Sequence, residues 1–347
     1  MKSHLLTVTE RIEETADAVT LRFAQPSIDR IPYLAGQYLT FRLDLGGTVR
    51  YRSYSISSSP QLDRYLAVTV KRIPGGRASE WMTARVSPGD TLECIRPLGR
   101  FSIETASKQR RHLLLAGAGS GITPLYSMLR AVLFHEPQSR VTLWYQNRSA
   151  GSVIFRRQLE QLAAQFAGRL DLQHWLSQPE AADQLPHTPG RLDSSHIHAR
   201  YRALDWKPES AWLCGPPGFR EALRQGLQEA GMAPEHIREE RFDDAPPPEV
   251  QEREGPVSQV TVHVAGQTYQ ITVPPGATVL EAALSQQIPL PYSCKRGVCS
   301  TCMGILKQGQ MRMKQHDALL DFEVAAGRVL MCQALPQTGT AEIQAGW

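Results

Sequence analysis

The sequence predicts a multidomain chain of three folded parts: an antiparallel β-barrel over residues 1–105, an α/β domain with a parallel sheet over 106–243, and, past a linker at 244–257, an α+β domain over 258–347. Three observations predict it. Short β-type runs punctuated by Gly, Pro and Asp fill the first third; from about residue 110 strands alternate with helices; and a proline- and charge-rich break, "DDAPPPEVQEREGP" from Asp243 to Pro256, precedes a segment that opens on a hairpin and a helix. A length of 347 residues suits two or three domains of about 100–200 residues each.

In the first part the runs "AVTLRF", "QYLTFRLDL", "YRSYSIS", "YLAVTVKRI" and "DTLECIR" are strand-length and closely spaced, the pattern of an antiparallel barrel. In the second, "RHLLLAG" leads into a helix from Thr123, "RVTLWYQ" into "IFRRQLEQLAAQFAG", and "SAWLC" into "PPGFREALRQGLQEAG", with "RLDLQHWLS" between them. Strand–helix alternation of this kind places parallel strands in one sheet. After the break, Val260, Val262 and Val264 and then Tyr269, Ile271 and Val273 alternate apolar with polar, and "GATVLEAALSQQ" continues as an apolar-periodic helix.

Composition narrows the function. Hydrophobic residues at 41% and charged residues at 21% give no case for disorder, and a net charge of +4 gives no support to nucleic-acid binding. The first residues, "MKSHLLTVTERIEETADAV", lack a secretory signal, so a cytoplasmic protein is expected. The longest uncharged run, the 17 residues Leu113–Leu129, falls short of the roughly 18–20 that span a bilayer, and its three Gly and one Pro read as strand, turn and helix. Six cysteines in a reducing compartment point to metal or redox chemistry rather than a disulfide framework, and four of them lie in the last fifth of the chain.

Two strand ends look built for an anion. In "LLLAGAGSGITPL" a buried strand runs into Gly117, Gly119 and Gly121, with Thr123 suited to a helix N-cap and Pro124 to the first helical position. Bare amides at a helix start are what a pyrophosphate needs, although the same turn also serves as plain turn chemistry. It departs from the Rossmann fingerprint: the third glycine comes one residue early, and the next strand ends in Asn147 and Arg148 with no acid for a ribose. "WLCGPPGF" ends a second strand at Cys214, Gly215 and Pro216, where Cys214 also reads as a small core residue.

The cysteine spacing is more specific. Cys294-x4-Cys299-x2-Cys302, with Cys332 after 29 intervening residues, is the plant-type [2Fe-2S] arrangement. Structural zinc more often uses two C-x2-C knuckles or adds histidines; here there is one knuckle, and His316 alone lies between Cys302 and Cys332 and reads as a surface loop residue.

Taken in order, "RSYS" (Arg52–Ser55), "GGRAS" (Gly75–Ser79), "GAGSGITP" and "CGPPGF" make residues 3–243 resemble the ferredoxin-NADP reductase-like flavoproteins. The resemblance implies a flavin on the barrel. Arg52 would contact its phosphate, Ser53 would lie in the same strand motif, Tyr54 would pack on the ring system, and Ser55 would sit beside the reacting N5. Gly76, Ala78 and Ser79 would hold the pyrophosphate at a helix start with Ser79 as N-cap, which favours FAD over FMN, and Lys71 would stand next to the flavin. Gly117, Gly119, Gly121, Thr123, Gly215 and Pro216 would bind the pyridine nucleotide, Cys214 would lie against the nicotinamide, and Phe242 would close the module near the flavin. Arg148 and Arg156, with Arg157 behind, favour the 2′-phosphate of NADPH; "LSQPE" lacks the arginine of the related "LSRE", which leaves NADH open.

From Ser258 onward the chain resembles plant-type ferredoxins, through "VPPGATVLEAALSQQIPLPYSCKRGVCSTC" and "AGRVLMCQALP". This implies a β-grasp domain whose Cys294, Cys299, Cys302 and Cys332 hold the cluster. Ser300 stands where the family commonly has Gly, and from residue 256 six basic against five acidic residues give +1, less acidic than free ferredoxins. The order of the parts resembles reductase components of bacterial oxygenases of the phenylacetyl-CoA epoxygenase reductase type. It implies a monomeric enzyme passing electrons from NAD(P)H through FAD and the cluster to an oxygenase, with Lys295, Arg296 and Ser300 as the expected contact points. A hybrid-cluster protein or a desaturase is the alternative acceptor, and a zinc-stabilised, non-catalytic nucleotide-binding module the alternative class.

Overall fold

The structure is a computed structural model that describes residues 3–25, 30–181, 184–242, 257–264 and 266–345. The expected linker lies, but for Val257, outside the described residues.

The first sheet comprises β1 (Ser3–Thr15), β2 (Ala18–Phe23), β3 (Tyr38–Asp44), β4 (Val49–Ser55), β5 (Leu66–Lys71) and, after helix α1 (Arg77–Arg85), β6 (Thr91–Leu98). Its order is β4-β3-β6-β1-β2-β5, and every pairing is antiparallel. A bridge between Ile56 and Val68 brings the β4 and β5 edges together, so the sheet closes as the short-strand pattern predicts. Leu21, Phe23, Leu39, Phe41, Ile56, Val68 and Met82 fill the interior. α1 starts at Arg77 with Gly76, not Ser79, as N-cap. The reason is space: a Cβ on Gly76 would stand 2.7 Å from Ser79 Oγ and 2.9 Å from the Ile73 carbonyl. Ser79 instead ties the turn from inside the helix, donating to the Gly76 carbonyl at 2.9 Å and accepting from the Ile73 N–H at 3.1 Å.

The second sheet is parallel throughout. It contains β7 (His112–Ala118), β8 (Arg140–Asn147), β9 (Leu170–Leu176), β10 (Thr188–Pro189), β11 (Ser210–Cys214) and β12 (Ile237–Glu240) in the order β10-β9-β8-β7-β11-β12. Helices α2 (Ile122–His135) and α3 (Arg156–Gln165) cover one face; α4 (Ser194–Ala203) and α5 (Pro217–Glu229) cover the other. β7 is buried on both faces, Leu113 and Leu115 facing the first cluster and Leu114 and Ala116 the second, as a central parallel strand requires. Because the chain crosses from β7 to β8 on one side and reaches β11 on the other, the C-terminal ends of β7 and β11 form a switch point with a crevice between them. α2 begins at Ile122, after a tight 3₁₀ turn over Gly119–Gly121, so Thr123 is its second residue rather than its N-cap. Gly119 at φ +54° makes that turn possible.

The third part has β13 (Ser258–Val264), β14 (Gln267–Val273), α6 (Val279–Ser285), β15 (Met303–Gln308), β16 (Met311–Met313), α7 (Asp321–Ala325), β17 (Arg328–Leu330), β18 (Ala334–Pro336) and β19 (Thr340–Ala345). The mixed sheet β14-β13-β19-β15-β17, with β13 and β19 parallel at its centre and α6 across it, is the β-grasp arrangement. A capping box fixes the start of α6: Thr278 Oγ1 accepts from the Glu281 N–H at 3.2 Å, and the Glu281 carboxylate accepts from the Thr278 N–H at 2.9 Å.

The three parts touch. Arg130 on α2 grips Asp63 of the barrel through two bonds of 2.6 and 2.9 Å. Tyr38 of the barrel donates to the Val298 carbonyl at 3.0 Å, and Arg96 and Arg100 approach Glu323 and Asp321 on α7 at 3.5 and 3.4 Å.

Candidate functional site

A cavity of about 500 Å³ opens where the three parts meet. The barrel contributes Arg52, Ser53, Tyr54 and Ser55 from β4, Lys71 from the end of β5, and Gly76, Ala78 and Ser79 from the start of α1. β4 and β3 pair so that Ser55 lies opposite Tyr38 and Ser53 opposite Thr40, whose hydroxyls bond at 2.8 Å. This locks the strand that presents the motif. Tyr54 packs on Phe41 with centroids 6.2 Å apart, and burial pushes its phenol up to about 12, so it stays protonated. Lys71 is held by Asp17 at 3.5 Å.

The diphosphate of FAD would need donors, and the start of α1 can offer them: the helix has no side-chain cap, and the residues of its first turn line the cavity with Arg52. Only glycine fits at position 76, which brings that backbone to the cavity wall. These residues fit FAD.

A second cavity, of about 750 Å³, occupies the crevice at the ends of β7 and β11. Gly119, Gly121, Arg148, Gly215 and Pro216 line it, with Ser177 and Arg191. Lys71, Ser120 and Phe242 line both cavities, so the two are neighbours across a shared wall. Among the described residues the lining carries three cations, Lys71, Arg148 and Arg191, and no carboxylate. Several expected residues stand back from it. Gly117 and Thr123 shape the turn, Thr123 donating to the Ser120 carbonyl at 3.0 Å and facing the first cavity. Arg156 lies outside the wall, paired with Glu160 at 3.0 Å. Cys214 is fully buried in the core, and burial, reinforced by Glu240, raises its thiol well above the usual range.

Sequence reasoning missed Arg191 and Ser177 in the crevice, and it missed Glu240. It pairs in register with Cys214, lines the first cavity, and loses enough hydration that its carboxyl rises to about 8, against a smaller lowering by Arg220. At neutral pH it is therefore largely a neutral donor. The available signal was strand alternation in "REERF", which puts 240 and 242 on one face.

The cysteine loop faces the same cavity through Cys294, Val298 and Cys299. All four thiols are free. Cys294 lies within hydrogen-bonding reach of Cys299 and Cys332, and Cys332 of Cys302, so the four sulfurs form one group. Left-handed backbone at Lys295 (φ +56°), Gly297 (φ +74°) and Ser300 (φ +53°) winds the loop around them. Amides turn inward as a result: Arg296 N–H to Cys294 Sγ at 3.3 Å, Cys294 N–H to Cys299 Sγ at 3.4 Å, and Cys332 N–H to Cys302 Sγ at 3.4 Å. Donors aimed at sulfur stabilise anionic thiolates, which fits a cluster carrying net negative charge. Among the described residues no three metal-ligating side chains already surround a single ion; what identifies the centre is the spacing, the shared thiol contacts and the inward amides.

The expected partner contacts need correction. Lys295 is exposed, but Arg296 and Ser300 are buried, and the Ser300 hydroxyl donates to the Ala318 carbonyl at 3.2 Å instead of reaching a sulfur or solvent.

Comparison with known proteins agrees with this geometry. Residues 5–103 match the model of the oxidoreductase FAD-binding domain, 115–225 that of the oxidoreductase NAD-binding domain, and 262–337 that of the 2Fe-2S iron-sulfur cluster binding domain. With the site, these define a flavin- and pyridine-nucleotide-dependent iron-sulfur oxidoreductase. The chain is 35% identical to the ferredoxin reductase component of 3-ketosteroid-9-alpha-monooxygenase from Rhodococcus rhodochrous, over 99% of this chain and 97% of that one. It is also 35% identical to one of the subunits of 1,2-phenylacetyl-CoA epoxidase from Escherichia coli K12, over 96% and 95%. It belongs to this family of three-domain reductase components. The fold of phthalate dioxygenase reductase covers 99% of the chain with a TM-score of 0.58 at 20% identity. Among the described residues no helix is long and apolar enough to cross a membrane.

Proposed function

We propose that this chain is the NADPH-oxidising reductase of an oxygenase system and that electrons leave it from the cluster of the third domain. The observation that carries the reading is the shared wall: the first cavity touches the nucleotide crevice through Lys71, Ser120 and Phe242, and the cluster loop through Cys294 and Cys299. Bound FAD takes two electrons from a reduced pyridine nucleotide and releases them singly, and a [2Fe-2S] centre carries one at a time.

The chain's own residues do the placing. Arg52 and the first turn of α1 would hold the flavin phosphates, and Tyr54 and Ser55 would contact its ring system. Gly119, Gly121 and Gly215 would present bare backbone to the nucleotide pyrophosphate, and Phe242, which lines both cavities, would separate the two ligands. Arg148 and Arg191, with no carboxylate among the described residues of that wall, favour a 2′-phosphate and hence NADPH. Oxygenase partners are named for the relatives in Rhodococcus and Escherichia coli, and near-complete coverage of both chains supports the same role here.

Stopped-flow mixing with NADPH under anaerobic conditions tests the order: flavin absorbance falls first and cluster absorbance follows. Cys299→Ser should lower cytochrome c reduction more than about tenfold while ferricyanide reduction stays within about twofold, because the first acceptor draws on the cluster and the second on the flavin. Equal loss of both would contradict the order. A kcat/KM for NADH equal to that for NADPH would remove the coenzyme assignment.

A further inference from the structure

We propose that a row of hydrogen-bonded side chains on the barrel, Thr69, Thr20 and Glu14, carries away the proton left behind when the flavin passes its electrons on. The proposal rests on the reading that a hydride enters the first cavity and single electrons leave it.

The balance of the reaction requires such an exit. A hydride brings one proton and two electrons, and reduced clusters take up the electrons but not the proton. For each NADPH oxidised, one proton must therefore leave a cavity walled by all three parts of the chain.

The side chains for it stand in line. Thr69 lines the first cavity from β5, on the strand face that also carries Lys71, and register places it opposite Thr20 of β2. Their hydroxyls bond at 2.7 Å, and Thr20 donates to Glu14 Oε1 at 2.7 Å. Glu14 is within reach because β1 bulges there. Its pairing with β2 passes from Glu13–Val19 to Thr15–Ala18, which leaves Glu14 out of the ladder and turns its side chain toward Thr20. Thr20 and Thr69 are buried, whereas Glu14 is half-buried at the seam with the nucleotide domain. There Gln158 of α3 approaches its other oxygen at 3.5 Å, and the Phe155 N–H donates to the carboxylate.

The order of donors gives the row a direction. A hydroxyl has one proton to give and two lone pairs. Thr20 uses its proton on Glu14, so Thr69 must donate to Thr20, and Ser57, 2.9 Å from Thr69, must donate to Thr69. Every O–H thus points toward the carboxylate, and Thr69 keeps a second lone pair for a donor in the cavity. A proton taken up at Thr69 moves on as each hydroxyl hands its own forward; Glu14 receives it and releases it at the seam. Burial raises the Glu14 carboxyl above the ordinary range, which makes it a better acceptor than a surface glutamate. Among the described residues Arg22 of β2, Tyr126 of α2 and Tyr145 of β8 are the titratable groups that face it.

The test uses the full-length holoprotein, reduced anaerobically with NADPH and then mixed with an acceptor. Ferricyanide and cytochrome c both take electrons without protons, so both depend on the exit. Glu14→Gln and Thr20→Val should slow flavin reoxidation by either acceptor at least about tenfold, while NADPH-driven flavin bleaching keeps its rate. Thr20→Ser, which returns the hydroxyl, should restore reoxidation. In the unaltered protein this step should slow in deuterated water, and slow again as pH falls and Glu14 becomes protonated; Glu14→Gln should abolish the acid limb. A readout apart from turnover is NMR titration of the carboxyl carbons in the oxidised holoprotein. Glu14 should titrate above an ordinary glutamate and, in Thr20→Val, higher still, because a donor to the carboxylate is gone. Unchanged reoxidation in Glu14→Gln overturns the proposal, and so does a Glu14 midpoint that Thr20→Val does not move. Thr20→Ser as slow as Thr20→Val would reduce the row to packing, and loss of the acid limb in Glu240→Gln instead of Glu14→Gln would send the proton out past the nucleotide; either result overturns it. A defect with cytochrome c alone belongs to the cluster path and also counts against the row. Cytochrome c reduction that survives Cys299→Ser faults the underlying electron path instead, and the ferricyanide results still decide the row.

Discussion

Ser300 holds a backbone conformation, φ +53°, that glycine adopts freely and that costs a residue with a Cβ about 1 kcal/mol. Its hydroxyl offsets part of that by donating to the Ala318 carbonyl at 3.2 Å, a part-buried bond worth about 0.5–1.5 kcal/mol. The two effects separate by substitution. Ser300→Gly loses the bond and the strain together, so stability should stay within about 1 kcal/mol; Ser300→Ala keeps the strain and loses the bond, and should cost about 0.5–1.5 kcal/mol. Thermal unfolding followed at the cluster absorbance ranks them; an alanine variant as stable as the glycine variant would mean that the left-handed backbone costs nothing, and an alanine variant as stable as the unaltered protein would mean that the hydroxyl contributes nothing. At this scale the four cysteines were legible as one group because sulfur spacing is local in sequence, and the fold brings their thiols together. Glu240 was not: strand alternation in "REERF" puts it on one face with Phe242, but only the pairing of β12 with β11 shows that this face meets Cys214 and the cavity.

At the scale of elements, both helix starts expected from capping preference shifted, and for one reason. Ser79 and Thr123 are good cap residues, yet each helix begins earlier, at a glycine chosen for closeness instead of hydrogen bonding. Gly121 shows how close. Its φ of −61° suits any residue, but a Cβ there would lie 2.1 Å from the Cys214 carbonyl oxygen and 2.5 Å from its carbon. That carbonyl cannot yield, because β11 is paired on both sides, Cys214 against Gly117 and against Glu240. Gly121→Ala must therefore push the start of α2 off the end of β11 and reshape the nucleotide crevice. The expected result is a KM for NADPH raised at least about tenfold, since misplacement by about 1 Å is costly in a positioning site, with FAD content retained. Ferricyanide-coupled kinetics measure the first and absorbance of the purified protein the second; a normal KM would show that α2 can slide without cost. Strand and helix order was legible from periodicity, which burial enforces, whereas the close approach of two backbones leaves only a glycine as its sign.

For the whole molecule, the contacts between parts differ in strength, and that difference matches the work each part does. Barrel and nucleotide domain are joined by Arg130 and Asp63, 18% and 8% exposed and bonded twice, with Ser127 donating to the Ser58 carbonyl beside them. The cluster domain meets the barrel mainly through the Tyr38 bond and more open ion pairs. None of this was legible in advance, because Asp63 and Arg130 stand 67 residues apart in a loop and a helix with no shared motif. Asp63 also accepts from the Ser59 N–H at 2.8 Å, so its carboxylate is fixed whether or not the arginine is there. Arg130→Met leaves that charge buried and unpaired, which typically costs about 3–5 kcal/mol. With about 2–4 °C per kcal/mol in a unit of this size, the Tm of the flavin and nucleotide unit should fall by about 6–20 °C. Adding Asp63→Asn removes the stranded charge but keeps the acceptor for Ser59, so the double variant should recover more than half of the loss. Melting followed by flavin release distinguishes the outcomes: a double variant no more stable than Arg130→Met would mean that the arginine acts by packing alone, and that charge does not hold the two halves together.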